Sequence, residues 1–95
     1  MNITMTSRHL ELTDALREAA RVRLERLTKH FKNILNVSVV FEVEKLTQMV
    51  EATVEVPHHK IHASATNSDM YAAIDLLVEK LDKQLTKHKE KDGRH

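Results

Sequence analysis

Hydrophobic positions along this chain recur at two periods, two residues and roughly 3.6, and their alternation sets out the elements. In "NITMTS", Ile3 and Met5 alternate with Asn2, Thr4 and Thr6, which predicts a short first strand. Thr13 then precedes "DALREAARVRLERLTKHF", where Leu16, Ala20, Leu24, Leu27 and Phe31 form an apolar stripe at helical spacing. Thr13 suits the N-cap and Asp14 the first helical turn. Period two then returns. Leu35, Val37, Val39, Phe41 and Val43 alternate with Asn36, Ser38, Val40, Glu42 and Glu44. Val50, Ala52, Val54 and Val56 alternate with Glu51, Thr53 and Glu55. After a turn at "PHH", Ile61, Ala63 and Ala65 alternate with His62, Ser64 and Thr66. Last, "TNSDMYAAIDLLVEKLDKQLTKHKEK" opens on Asn67, Ser68 or Asp69 as cap and carries Met70, Ile74, Leu77, Val78, Leu81 and Leu85 on one face.

The order β-α-β-β-β-α predicts an α+β two-layer sandwich with a four-stranded mixed sheet. The first helix crosses over between parallel strands, right-handed by the usual rule, and an antiparallel meander follows. Each strand is apolar on one side only, so both helices are expected to cover that side. The other face, with Glu42, Glu44, Glu51, Glu55 and His62, is left to water. Residues 1–90 are expected to form a single domain and residues 91–95 a short disordered C-terminal tail.

Composition narrows the class. With 95 residues, 41% hydrophobic and 31% charged, the chain is expected to fold around one modest core. It has no cysteine, which excludes disulfides, thiolate metal sites and a cysteine nucleophile. No apolar run approaches the roughly 18 residues of a membrane helix, and the N-terminus lacks the pattern of a secretory signal. A cytoplasmic protein, with no cofactor and no membrane partner, is expected.

Charge changes the picture further. The formal net charge is only +1, yet residues 1–32 carry +3, residues 33–79 carry −5 and residues 80–95 carry +3. Polarisation of this kind speaks about partners more than about fold. On the last helix Lys80, Lys83, Lys87 and Lys91 fall within about 220° to 300° of Met70, while Asp75, Glu79 and Asp82 occupy about 120° to 180°. Attraction of cations to the helix C-terminus fades beyond the last turn and gives no reason for one-sidedness. The pairs Lys83–Lys87 and Lys87–Lys91 each cost about 0.2–0.5 kcal/mol. A gathered lysine flank therefore points to a polyanion. Arg23, Arg26 and Lys29 repeat the arrangement more weakly on the first helix, with Arg17 and Arg21 on its opposite flank. If the helices lie side by side, the two basic flanks are expected to join into one stripe. Phe31 and Phe41 belong to apolar faces, so no stacking platform for single strands is available. The surface suits structured RNA read by shape and charge.

The segments "HLELTDALRE", "RLERLTKHF" and "IHASATNSDMYAAIDLLVEKLDKQLTKHK", in this element order, resemble the bacterial ribosome hibernation promoting factor family in its short form, also known as the ribosome-associated translation inhibitor or sigma-54 modulation protein family. The α-β-β-β-α core also resembles double-stranded-RNA-binding domains, but "SDMYAAID" lacks the lysine cluster those domains place there. The family resemblance covers essentially the whole chain. It implies binding to the small ribosomal subunit at the decoding centre, where messenger and transfer RNA would sit. It also implies translation inhibition in stationary phase and, with ribosome modulation factor, inactive ribosome dimers. By position in the motif, the RNA-binding role falls on Arg23, Arg26, Lys80, Lys83, Lys87 and Lys89. Because the chain ends at His95, the short dimer-promoting member is expected, acting as a monomer off the ribosome. Two departures, Ser7 before the first helix and "PHHK" in place of a glycine-rich turn, are expected to lie in loops.

Other readings carry less. His58, His59 and His62 invite a metal, but no cysteine or suitably spaced carboxylate completes a site. Arg8 and His9, in the loop entering the first helix, either approach RNA or cap the helix. Tyr71 sits at the edge of the apolar stripe and suits packing better than RNA contact. Glu51 and Glu55 on an open sheet face suit solvation better than catalysis. No phosphate loop or nucleophile motif is present, and no enzymatic activity is expected. The alternatives to a dimer-promoting hibernation factor are the paralogous inhibitor that stabilises inactive monomeric ribosomes and a general structured-RNA-binding module.

Overall fold

The computed structural model describes residues 2–92, with side chains through Lys89. Its elements are β1 (Asn2–Arg8), α1 (Asp14–His30), β2 (Asn36–Glu44), β3 (Thr47–Val56), β4 (His59–Asn67) and α2 (Met70–Asp92). They form one four-stranded sheet in the order β1-β2-β3-β4. β1 runs parallel to β2, with Ile3 beside Val37 and Met5 beside Val39, and the remaining pairs are antiparallel.

Local chemistry starts each helix. Thr13 Oγ1 accepts from the Leu16 amide at 3.2 Å, satisfying one of the free donors of the first turn of α1. Of the three candidate caps for α2, Asp69 takes the position. Its Oδ1 accepts from the Tyr71 amide at 3.1 Å, and its carbonyl accepts from the Ala73 amide at 3.0 Å. Asn67 supports it by accepting from the Asp69 amide at 3.0 Å. α2 continues through Asp92, so Lys91 and Asp92 extend the helix rather than begin the expected tail. No helix breaker intervenes before Gly93. Residues 93–95 lie outside the described residues.

Both helices cover one sheet face. Leu16, Ala20, Leu24 and Leu27 of α1 and Ile74, Leu77, Leu81 and Leu85 of α2 are buried against Val37, Val39, Phe41, Val50, Val54 and Ile61. One expected inward residue is not inside: Leu35 is 49% exposed, and Ile34 is buried instead. Leu35 precedes β2 and donates its amide to the Glu55 carbonyl at 2.8 Å. It lines a surface hollow with Val56, His58 and His59 of the β3–β4 hairpin instead of lying under a helix. Two-residue turns close both hairpins, with Lys45 at φ 56° and His58 at φ 65°. Pro57 followed by a positive φ is the type II pattern, for which glycine is the usual second residue. No helix among the described residues is long and apolar enough to cross a membrane.

The connections fix direction. β1, β2 and β4 share one strand direction, so α1 and α2, each following a strand of that direction, both run back the opposite way. The helices are parallel, and their C-terminal ends lie at the same end of the molecule.

Candidate nucleic-acid interface

α2 separates its charges laterally. Lys80 Nζ donates to the Ser64 carbonyl at 2.7 Å, and Gln84 Nε2 donates to the His62 carbonyl at 2.9 Å. The lysine flank therefore lies over the outer edge of β4. Lys83 pairs with Glu79 at 3.5 Å on the exposed surface, where such a pair contributes little. Lys87 is exposed and has no polar partner among the described residues.

The opposite flank of α2 faces α1 across a groove of about 630 Å³. Asp75, Glu79 and Asp82 line one wall, and Arg23, Arg26 and His30 line the other. Arg23 Nε donates to Asp75 Oδ1, and its Nη1 donates to the Ala19 carbonyl at 3.0 Å. The expected single stripe is thus interrupted by carboxylates. The reason is geometric. Parallel helices resting on one sheet present the same angular flank in the same lateral direction. Arg23 and Arg26 look toward α2, so the equivalent lysine flank of α2 looks away from α1.

The cations gather instead along the helix axis. Lys89, on the groove side, sits beside His30, Phe31, Lys32 and Asn33 at the end of α1. Arg26, Lys29, Lys32, Lys87 and Lys89 are exposed and unpaired among the described residues. With Lys83 they make a basic pole over the C-terminal halves of both helices, Lys83 and Lys87 on the β4 side of α2 and the others on the α1 side. Of the helical ones only Lys29 and Lys89 lie in a last turn, where the helix dipole favours positive charge. Lys32 was not a candidate from the sequence, because it follows the periodic stripe instead of flanking it. Lys91 belongs to α2 by backbone, but its side chain lies outside the described residues.

The remaining candidates separate from this pole. Arg8 ends β1 on the outer sheet face, 3.7 Å from Glu42, away from the helices. His9 occupies the following loop at φ 63° and is exposed. Arg21 is held by Glu18 and Glu25 on its own helix. The hydrogen bonds it donates, first to Glu18 and then to Glu25, raise the guanidinium above its ordinary value. The three histidines do not converge. His58 forms the turn, His59 stacks on His88, and His62 contacts Thr53 Oγ1 at 3.0 Å on the outer face, with Glu51 at 3.8 Å. Glu55 accepts from Asn36 Nδ2 at 2.9 Å. Tyr71 is 43% exposed near the start of α2, away from the basic pole.

In fold the chain stands with small ribosome-associated α+β proteins. It is similar to a ribosomal subunit interface protein from Coxiella burnetii, with TM-score 0.90 and 38% identity over 95% of this chain and 99% of that one. It is also similar to the N-terminal domain of Thermus thermophilus Protein Y, with TM-score 0.85 and 31% identity over 93% of this chain and 99% of that one. The chain belongs to the sigma 54 modulation protein / S30EA ribosomal protein family, whose model matches residues 3–92. Relatives include the ribosome hibernation promoting factor of Pseudomonas putida, 48% identical over 96% of this chain and 89% of that protein. That of Escherichia coli strain K12 is 46% identical over the full length of both.

Proposed function

We propose that this protein is a ribosome hibernation factor. It binds the small ribosomal subunit at the decoding region through the basic residues of its two helices, excludes messenger and transfer RNA, and inhibits translation. It promotes inactive ribosome dimers in stationary phase, with ribosome modulation factor acting alongside. The observation that carries the reading is the set of exposed cations Arg26, Lys29, Lys32, Lys83, Lys87 and Lys89, on the C-terminal halves of the two helices and just past α1, with Lys89 beside Lys32. Five of them have no internal partner among the described residues, and the sixth has only an exposed pair with Glu79. Phosphate backbones are the matching partner, and the relatives named ribosome hibernation promoting factor support a ribosomal one.

Sedimentation of the purified protein with ribosomes through sucrose, at low and moderate salt, tests this reading. The protein is expected to travel with small subunits and whole ribosomes and, with ribosome modulation factor present, to raise a dimer peak. Association without dimers would assign the monomer-stabilising role instead. Protein left at the top of the gradient even at low salt would overturn ribosome binding.

A further inference from the structure

The hairpin between β3 and β4 ends beside the last turns of α2, and there two imidazoles meet. His59 and His88, from opposite ends of this segment, stack with ring centroids 5.1 Å apart and planes within 8°. His59 is exposed and His88 half-buried, so the pair sits at the surface of the basic pole rather than in the core. Lys87 and Lys89 flank His88 along the helix, and His58 and Lys60 flank His59 in the hairpin. On the sheet, Glu55 lines the same hollow as His58, His59 and Lys60 and accepts from Asn36. Along α2, Asp92 stands one helical turn beyond His88 in the sequence. His62, with Thr53 and Glu51, belongs to the outer sheet face.

We propose that His59 and His88 form a phosphate-binding site for the backbone of structured RNA, loaded by protonation. The inference rests on the RNA-binding reading above and extends it to the hairpin. Histidine is the side chain whose charge changes between pH 5 and 8. A phosphate oxygen bridging the two rings favours the charged form of both. The RNA-bound state then holds more protons than the free state, so affinity rises as pH falls. If the stack serves only to close the open end of the core beneath α2, acid parts the rings and affinity falls or stays level. The two roles therefore differ in sign.

The test is affinity for small ribosomal subunits at pH 8 and pH 6, at constant ionic strength, for the wild-type protein and for His59→Gln. The wild type is expected to bind about tenfold more tightly at the lower pH. His59→Gln, which retains the chain's six other histidines, His9, His30, His58, His62, His88 and His95, is expected to lose most of that gain. A full gain in the variant, or weaker wild-type binding at pH 6, would overturn the site. A second measurement stands apart from the ribosome: imidazole resonances titrated with pH, with and without inorganic phosphate. Phosphate is expected to move the titrations of both His59 and His88 to higher pH together. Titrations that phosphate leaves unmoved overturn the site. If small subunits are not bound at either pH, ribosome binding fails while the phosphate titration still decides the histidine pair.

Discussion

His58 carries a backbone angle that its residue type disfavours. At φ 65° the β-carbon of an L-residue crowds the following carbonyl, at a cost of about 1 kcal/mol. Glycine escapes that contact but gives back some entropy to the unfolded chain. His58 is exposed and makes no hydrogen bond among the described residues, so little else is lost. His58→Gly is therefore expected to stabilise the fold by about 0.5–1 kcal/mol, read as a melting temperature about 2–6 °C higher. An unchanged or lower melting temperature would show that the turn bears no such strain. Lys45 and His9 also occupy this region, which follows from a chain with a single glycine, placed at position 93.

Between elements, α2 does more than cover the core. The β4 edge leaves carbonyls facing outward, as any edge strand must, and such groups invite pairing with another chain. Lys80 and Gln84 reach over and occupy those of Ser64 and His62. A lysine singled out for RNA thus also seals a sheet edge. Lys80→Ala with Gln84→Ala is expected to cost about 1 kcal/mol, since exposed side-chain bonds are worth about 0.5–1.5 kcal/mol at most. Concentration-dependent self-association in sedimentation velocity is the expected second effect, and its absence would mean that the helix itself shields the edge. It follows that a test of RNA binding should spare Lys80, because reversing it would place a carboxylate against a carbonyl. The Arg23–Asp75 bond ties α1 to α2 across the groove and leaves Arg23 less free for a phosphate than Arg26.

Over the whole molecule, parallel helices concentrate positive charge at one end while the outer sheet face carries Glu42, Glu44, Glu51 and Glu55. Position rather than total charge should then govern the proposed ribosome contact. Lys83→Glu/Lys87→Glu/Lys89→Glu is expected to weaken binding to small subunits more than tenfold with an unchanged circular dichroism spectrum. Arg17→Glu, on the flank of α1 away from the groove, is expected to change it less than threefold. Equal losses from both would indicate nonspecific attraction and sink the pole as the binding surface. Element order, the Thr13 cap, the core stripes and the acidic face were all legible in the sequence. They rest on periods of 2 and 3.6 residues and on bonds between near neighbours. The gathering of Lys80, Lys83 and Lys87 on one side of a helix was legible for the same reason. Which way that side looks was not. Only the tertiary structure turned it toward β4, set carboxylates between the basic flanks, joined Lys89 to Lys32 and stacked His59 on His88. Each of those depends on residues far apart in the chain, and contacts of that kind leave no periodic trace along it.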